Sequence, residues 1–152
     1  MLYHIKLIGN NADGAERVKK LVVTRRGPYQ KTVILRVPVV DIVEGELFLI
    51  MGDAQVTSPY QYNVMLSSDL VLIEADGAVR EVAEGQGQNF NNEEHHFNWP
   101  RHGAYTATSN KPGTNYFCLR AWSASSAAGS GAKLTVDQDH GRLTVWRFTP
   151  NV

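Results

Sequence analysis

Apolar and polar residues alternate along much of the chain from residue 32 onward. Thr32–Val37 is rich in β-branched residues, and Tyr62, Val64 and Leu66 occupy every second position of the next alternating segment. Side chains of a strand point alternately to its two faces, so this period predicts strands with one buried face. Pro38 cannot donate a ladder hydrogen bond and therefore predicts an edge position or a strand break.

Two segments are apolar without interruption, Leu47–Met51 and Leu70–Ile73. A short continuous apolar run is typical of a strand that is buried on both faces, so we expect both segments to lie centrally. Tyr116–Trp122 is predicted to be a third, long central strand. Gly52-Asp53 is predicted to end the first run, with a new strand at Ala54–Thr57.

Glycine-containing polar segments separate the predicted strands. Asp76-Gly77 is a dipeptide that closes tight hairpins, and Ala78–Val82 can return antiparallel to the strand before it. The other predicted turns and loops are Glu44–Glu46, Lys111–Gly113, the polar loop Glu84–Glu94, and Asp137–Gly141, which would join Leu134–Val136 and Leu143–Phe148 as a hairpin.

The first thirty residues give a mixed pattern. Leu2–Ile8 is predicted to be a strand and Asn10–Gly14 a turn. Ala15–Val23 fits either a short helix, because Val18, Leu21 and Val22 fall on one helical face with Ala15, or a loop leading into a strand. Both alternatives remain open from the sequence.

About eight to ten strands separated by turns, without long amphipathic helices, predict the fold class. We expect an all-β, antiparallel β-sandwich, jelly-roll-like, with little helix. At 152 residues the chain fits one domain over 1–152, in which 1–30 could be an N-terminal docking arm or extra strands.

Charge is unevenly distributed although the net charge is zero. Residues 1–36 hold eight basic and two acidic residues (+6), residues 37–100 hold one and eleven (−10), and residues 101–152 hold six and two (+4). This layout suits contact between subunits or docking on a charged partner, unless folding mixes the segments. The basic residues predicted to dock on an acidic partner are Lys19, Lys20, Arg25 and Arg26.

Several classes are disfavoured by what the sequence lacks. The start has no long apolar segment of a signal peptide, and no run reaches the length of a membrane span, so we expect synthesis in the cytosol. A pI near 7 disfavours general nucleic-acid binding. The only cysteine, Cys118, lies in an apolar run and is expected to be a buried structural thiol. Nucleophile-elbow, phosphate-loop and zinc-protease motifs are absent, and no catalytic residue or cofactor is predicted.

The densest group of candidate binding residues is the segment Glu93–His102. Histidine, tryptophan and arginine together can form a platform for a sugar ring or a protein partner, or an inward core face. The predicted binding residues are His95, His96, Trp99, Arg101, His102 and Tyr105.

Metal chemistry in the same segment is the weaker alternative. His95 or His96 with His102 and Glu94 could hold a transition metal, but adjacent histidines on a strand point to opposite faces. Asp137–Gly141 faintly resembles part of a calcium loop but lacks the late glutamate, which favours a turn. No metal is therefore predicted.

In strand order and short sequence motifs, residues 30–150 resemble the β-sandwich decoration and fibre-type modules of tailed-bacteriophage virions. The residues that carry the resemblance are Val33–Val40, His95–Phe97 ahead of Arg101–Gly103, and Asp139–Val145. The resemblance implies a non-enzymatic structural protein located in the virion, self-association (often as trimers) and attachment to a major capsid or tail protein.

Three functions are thus carried forward. The first is a virion structural, capsid decoration or fibre protein that works through protein–protein contacts. The second is a carbohydrate-binding, lectin-like module that uses the His95–Tyr105 segment to bind a surface glycan. The third is a metal-dependent enzyme on a β-barrel.

Overall fold

The computed structural model is all β in the residues it describes, which are 2–9, 16–17, 21–24, 31–58, 64–90, 94–123, 133–136 and 141–151. Eight strands are long and three are short. In chain order they are β1 (Leu2–Gly9), β2 (Glu16–Arg17), β3 (Leu21–Thr24), β4 (Thr32–Ile42), β5 (Leu47–Ser58), β6 (Val64–Ile73), β7 (Val79–Phe90), β8 (Glu94–Thr106), β9 (Lys111–Ser123), β10 (Lys133–Val136) and β11 (Arg142–Asn151).

The eight long strands pair in a nested order. The first pairs with the last (β1–β11), the second with the seventh (β4–β9), the third with the sixth (β5–β8), and the two middle strands with each other (β6–β7). The result is two antiparallel sheets, β1-β11-β5-β8 and β4-β9-β6-β7, which we call the first and second sheet. Nested antiparallel pairing of eight strands in two sheets is a jelly roll, which confirms the predicted fold class.

The core lies between the inner faces of the two sheets. Phe48 of β5 and Phe117 of β9 face each other with ring centroids 5.1 Å apart, and Tyr105 of β8 packs at the edge of the Phe117 ring. Leu35, Val37 and Val39 from β4 and Leu143 and Val145 from β11 complete the buried cluster. Alternating residues of each strand supply this core, as the two-residue period requires.

Two of the predicted turns form as expected. Gly45 and Gly77 both adopt positive φ, at 89° and 90°, a conformation that glycine reaches without steric cost. Gly77 N–H donates to Glu74 O at 2.8 Å, which closes the β6–β7 hairpin predicted at Asp76-Gly77. Ala78 N–H also donates to the Asp76 carboxylate at 2.9 Å.

Lys111–Gly113 is not a turn, which corrects the prediction. The segment belongs to β9, and the β4–β9 register shifts between Val40 and Ile42. Gly113 has φ 84° and donates its N–H to the Asp41 carboxylate at 2.8 Å, opposite an Asp41 backbone that also has positive φ. The glycine therefore marks an irregularity in the ladder rather than a reversal of the chain.

Gly52-Asp53 does not break a strand, because β5 runs without interruption from Leu47 to Ser58. A Cβ on Gly52 would lie 3.4 Å from both Leu143 and the Arg101 carbonyl. The glycine is thus explained by close packing on the inner face.

The predicted hairpin between the last two strands is also wrong. β10 pairs with β3 and β5, whereas β11 pairs with β1 and β5. The two strands lie one after the other along the same side of the long β5, so β-strand content was predictable there but the pairing partner was not.

The polar segment Glu84–Glu94 was predicted to be a loop, but β7 extends to Phe90 and β8 begins at Glu94. β7 is the edge strand of the second sheet, so its polar side chains can face solvent while β6 holds its backbone. The helix alternative for Ala15–Val23 is wrong where the structure describes it, because β2 and β3 occupy that segment. The predicted turns at Asn10–Gly14 and Asp137–His140 lie outside the described residues.

Candidate functional site

The predicted binding segment lies on β8, at the edge of the first sheet. Trp99 is only 6% exposed and belongs to the core, and Tyr105 packs against that core. His102 points to the outer face and is exposed, whereas Arg101 points inward and is buried. The side chains of His95 and His96 lie outside the described part. The structure therefore does not bring Trp99, Tyr105 and His102 together on one surface.

Arg101 connects the two sheets from within. Its Nη1 donates to Gln86 Oε1 at 2.6 Å and its Nη2 donates to the Glu84 carbonyl, both on β7. Burial lowers the pKa of the guanidinium, and the nearby Asp69 carboxylate opposes that shift. These contacts fix edge strand β7 against edge strand β8, so Arg101 has a structural role in this conformation.

An apolar surface covers the outer face of the first sheet. Antiparallel register places directly paired residues on one face, and the row Leu7, Trp146, Leu49 and Ala104 is apolar across β1, β11, β5 and β8. The two neighbouring rows also contain the polar residues Thr106, Thr144 and His102. We call this surface the apolar face. Its members are Tyr3, Ile5, Leu7, Leu47, Leu49, Met51, Ala104, Trp146 and Phe148.

Several of these side chains remain accessible to solvent. Ile5 is 61% exposed, Met51 43% and Leu49 38%. Ile5 and Leu49 have apolar partners on the adjacent strands, whereas Met51 lies between Thr144 and His102. Tyr3 packs edge-on against Phe148 with ring centroids 6.4 Å apart. Between β5 and β8 a shallow depression of about 410 Å³ is lined by Leu49, Ile50, Met51, His102, Gly103 and Ala104. A contiguous apolar surface of this kind marks an interaction site.

The outer face of the second sheet has a different cover. Long cationic side chains lie over its apolar residues, and we call them the cationic cover: Lys31, Arg36 and Arg120. Arg36 lies 4.6 Å from the centre of the Tyr116 ring, and the Lys31 ammonium lies 4.5 Å from that of Trp122. The aliphatic stems of such side chains shield apolar surface while their charges reach solvent.

Asp69 ties the cationic cover together. Arg120 donates to both of its carboxylate oxygens, at 2.9 and 2.7 Å, and Lys31 donates at 3.1 Å. Beneath this cover lies Cys118, whose thiol is buried and whose pKa burial raises to about 12, against the opposing charges of Arg36 and Arg120. The expectation of a buried structural thiol is confirmed.

Two further buried carboxylates are paired across the chain. Glu46, at the start of β5, accepts from Arg147 Nε at 2.9 Å and Nη2 at 2.7 Å, and from Thr149 at 2.8 Å. Burial alone would raise the pKa of Glu46, but these bonds and the Val43 N–H outweigh it and lower the pKa. Glu74 accepts from Lys111, and this bond raises the pKa of the Lys111 ammonium.

These ion pairs explain much of the segmental charge. Asp69, Glu46 and Glu74 come from the acidic segment 37–100, and Arg120, Arg147 and Lys111 come from the basic segment 101–152. Folding therefore brings opposite charges together inside one chain, so the layout by itself does not indicate a charged partner. Lys19, Lys20, Arg25 and Arg26 lie outside the described residues, and their docking role stays a prediction.

The described side chains include no group of three or more His, Cys, Asp or Glu residues placed to bind a metal ion. A polar cleft of about 320 Å³ lies at the sandwich end formed by the β6–β7 and β8–β9 turns. Of its four charged residues, Glu74 pairs with Lys111 and Arg80, and Asp76 accepts from the Ala78 N–H. Within the described part of the chain, no helix has the length and apolarity needed to cross a bilayer.

No protein-family model matches the chain, and no curated protein matches it in sequence. Solved structures do match in fold. A mutant VP2 protein of infectious bursal disease virus, in derived T=1 particles, superposes with a TM-score of 0.59 at 14% identity, covering 95% of this chain and 31% of that one. The chain shares its fold with VP2.

Two further structures from infectious bursal disease virus agree. The VP2 subviral particle gives a TM-score of 0.57 at 12% identity, covering 97% of this chain and 32% of that one. The Gt strain structure gives a TM-score of 0.56 at 13% identity, covering 97% of this chain and 36% of that one. The chain thus spans about a third of the chains that it matches. Matches to a TNF protein of S. frugiperda and to a xylan-binding domain have TM-scores of 0.46 and 0.42, too low to support an argument.

The apolar face was not singled out by sequence reasoning. Its signal was present in the run Leu47–Met51, whose burial was expected on both faces. The sequence did not show that the described part of the chain has no layer of residues covering the outer face of β5.

Proposed function

We propose that the protein is a non-enzymatic structural component of a virus particle, working through protein–protein contacts. The observation that carries this proposal is the apolar face. It offers an apolar surface of the kind that proteins bury against one another, and the charged pair Arg142 and Asp53 lies at one end of the same outer face.

The shared fold supports the virus-particle part of the proposal. The VP2 structures are of particles, and the match covers nearly the whole of this chain. Those matches come from infectious bursal disease virus, so attachment to a tailed-phage capsid or tail, as a decoration or fibre protein, stays part of the proposal and rests on the resemblance alone.

A glycan-binding function receives less support from the described residues. A sugar platform needs aromatic rings open to solvent, and Trp99 and Tyr105 are engaged in the core. A metal-dependent enzyme would rest on His95 or His96 with His102 and Glu94; of these side chains the structure describes that of His102 alone, exposed on the outer face of β8. We therefore carry forward the structural function.

The proposal is tested by quantitative mass spectrometry of virus particles purified from the source of the sequence. We expect the chain in a fixed ratio to the major particle protein, unchanged by a second gradient purification. Its absence from washed particles, with the protein abundant in the soluble fraction, would contradict the proposal.

A further inference from the structure

We infer that the apolar face is a self-association surface and that its partner is the same face of a second copy of this chain. This inference rests on the proposed function but names the surface and the partner, which the fold alone does not supply. Four observations support it, and they concern hydrophobicity, area, charge and flatness.

The first observation is the sequence of β5. Every residue of Leu47–Met51 is apolar, a pattern of strands that are covered on both faces. Phe48 and Ile50 are buried on the inner face, but Leu49 and Met51 are uncovered on the outer face in the single chain. A second molecule would supply the layer that the pattern requires.

The second observation is size. With strands about 4.8 Å apart and same-face residues about 7 Å apart along each strand, the four-strand face measures roughly 20 Å by 20 Å, or about 400 Å². That is within the range of functional patches on monomers and about half of the roughly 800 Å² per partner of a standard interface, so a stable contact would bury residues beyond the apolar face as well. A protein surface fits this area better than a single peptide side chain or sugar.

The third observation is charge. At one end of the face Arg142 of β11 lies opposite Asp53 of β5 in the register, so that end carries both signs. The whole chain has no net charge, which leaves little repulsion between two copies. A neutral face with a mixed border is electrostatically compatible with its own copy.

The fourth observation is shape. The apolar face is a continuous sheet surface, in which residues paired across neighbouring strands lie side by side. Two sheets pack face to face about 10 Å apart with their strands nearly aligned, which a second copy of the same surface can satisfy. The depression beside His102 can accept a projecting side chain such as the exposed Ile5 of the partner copy.

The test is multi-angle light scattering and sedimentation velocity of the purified full chain over a wide concentration range. We expect the wild type to form a discrete oligomer of the 16.9 kDa chain. The double variant Leu49→Glu, Met51→Glu should raise the dissociation constant at least about 100-fold, because each copy of the interface then loses two apolar side chains that association would bury.

The matched control is Val40→Glu, Val79→Glu on the outer face of the second sheet, where the residues are 56% and 50% exposed. It should associate like the wild type, and near-ultraviolet circular dichroism should show both variants folded. A milder variant, Ile5→Gln, should weaken association without the strain of buried charge.

A wild type that is monomeric throughout overturns the inference, as does equal association of wild type and the Leu49, Met51 variant, or equal dissociation of the control. These outcomes are independent of the particle experiment. If the protein is a monomer but present in particles in a fixed ratio, this inference fails and the proposed function stands. If it is an oligomer that never enters particles, the proposed function fails and self-association stands.

Discussion

The outer faces of the two sheets are covered in different ways. Val71 of β6 is on the outer face of the second sheet and only 2% exposed, while Leu49 and Met51 of β5 are on the outer face of the first sheet and remain accessible. The second sheet has the cationic cover, held by Asp69. The difference lies in where exposed apolar side chains remain: on the second sheet they are Val40, near the end of β4, and Val79, on edge strand β7, whereas on the first sheet Leu49 and Met51 lie on the central strand β5.

The same contrast exists within β5, between neighbouring residues. Phe48 is fully buried against Phe117 and Tyr105, and Leu49 next to it faces outward. Phe48 is packed by side chains of its own chain. Leu49 would be packed as closely only if a second molecule covered the apolar face.

The largest expected effect on stability comes from removing the core side chain of this pair, Phe48. Phe48→Ala should lower the free energy of unfolding by about 3–5 kcal/mol, because it removes a large buried ring and leaves a cavity. Leu49→Ala should cost below about 1 kcal/mol at concentrations where the protein is monomeric. Urea unfolding of dilute protein measures both; similar losses for the two variants would refute the difference between the faces.

The next effect concerns the cationic cover. Arg120→Met removes the bidentate partner of the buried Asp69 carboxylate and should cost about 3 kcal/mol, reduced where Lys31 compensates. The control is Arg142→Met on the outer face of the first sheet, an exposed position expected to change stability by less than about 0.5 kcal/mol. Thermal unfolding at constant pH compares them, and a neutral Arg120→Met would argue against the cover.

A smaller effect concerns acid and the Glu46–Arg147 pair, which fixes β11 and so places Trp146 and Phe148 on the apolar face. The pKa of Glu46 is lowered in the folded protein from its ordinary 4.5. Its stabilisation is therefore complete above that ordinary value and is lost as the pH falls through the lower, folded value.

Glu46→Gln should accordingly be less stable than the wild type near neutral pH, with the gap closing in acid below the ordinary glutamate pKa. Unfolding midpoints measured from pH 7 down to about 3 would show this convergence. A gap that stays constant across the series would mean that the carboxylate is not stabilised by Arg147 and Thr149 in the way the geometry indicates.

The smallest effect is chemical. Cys118 lies beneath the cationic cover, and its raised pKa, about 12, leaves almost no thiolate at pH 8. We expect no measurable reaction of the native protein with an aromatic disulfide reagent and full reaction in denaturant. Arg36→Ala should make a slow native reaction measurable by opening the cover, provided that the gain in access outweighs the loss of a charge that opposes the raised pKa. Ile5→Gln on the other sheet should leave the thiol unreactive; the same outcome in both variants would contradict this.

Much of the fold was predictable because local patterning decides it. The strands at Thr32–Val37, Leu70–Ile73 and Tyr116–Trp122 and the hairpin at Asp76-Gly77 follow from side-chain period and turn chemistry. The pairing of β10 with β5 instead of β11 was not predictable, because a long-range partner leaves no mark in the local sequence.

The candidate site was less accessible to sequence reasoning. Trp99 and Arg101 were predicted to be binding residues, with an inward core face as the open alternative for Trp99. Alternation along β8 turns both inward, so the core alternative is confirmed for Trp99. Conversely, Tyr3, Trp146 and Leu49 are far apart in sequence and become one surface only through the β1-β11-β5 register. A surface assembled from several strands is visible only once the topology is known.

The most direct test of the central claim is residue-resolved radical footprinting of the wild type as its concentration is raised. Met51 and Leu49 should lose reactivity as the oligomer forms, while Val40 and Val79 on the second sheet should keep theirs, because only the apolar face becomes covered. Constant labelling of Met51 across the association transition, or protection of Val79 instead, would contradict the account.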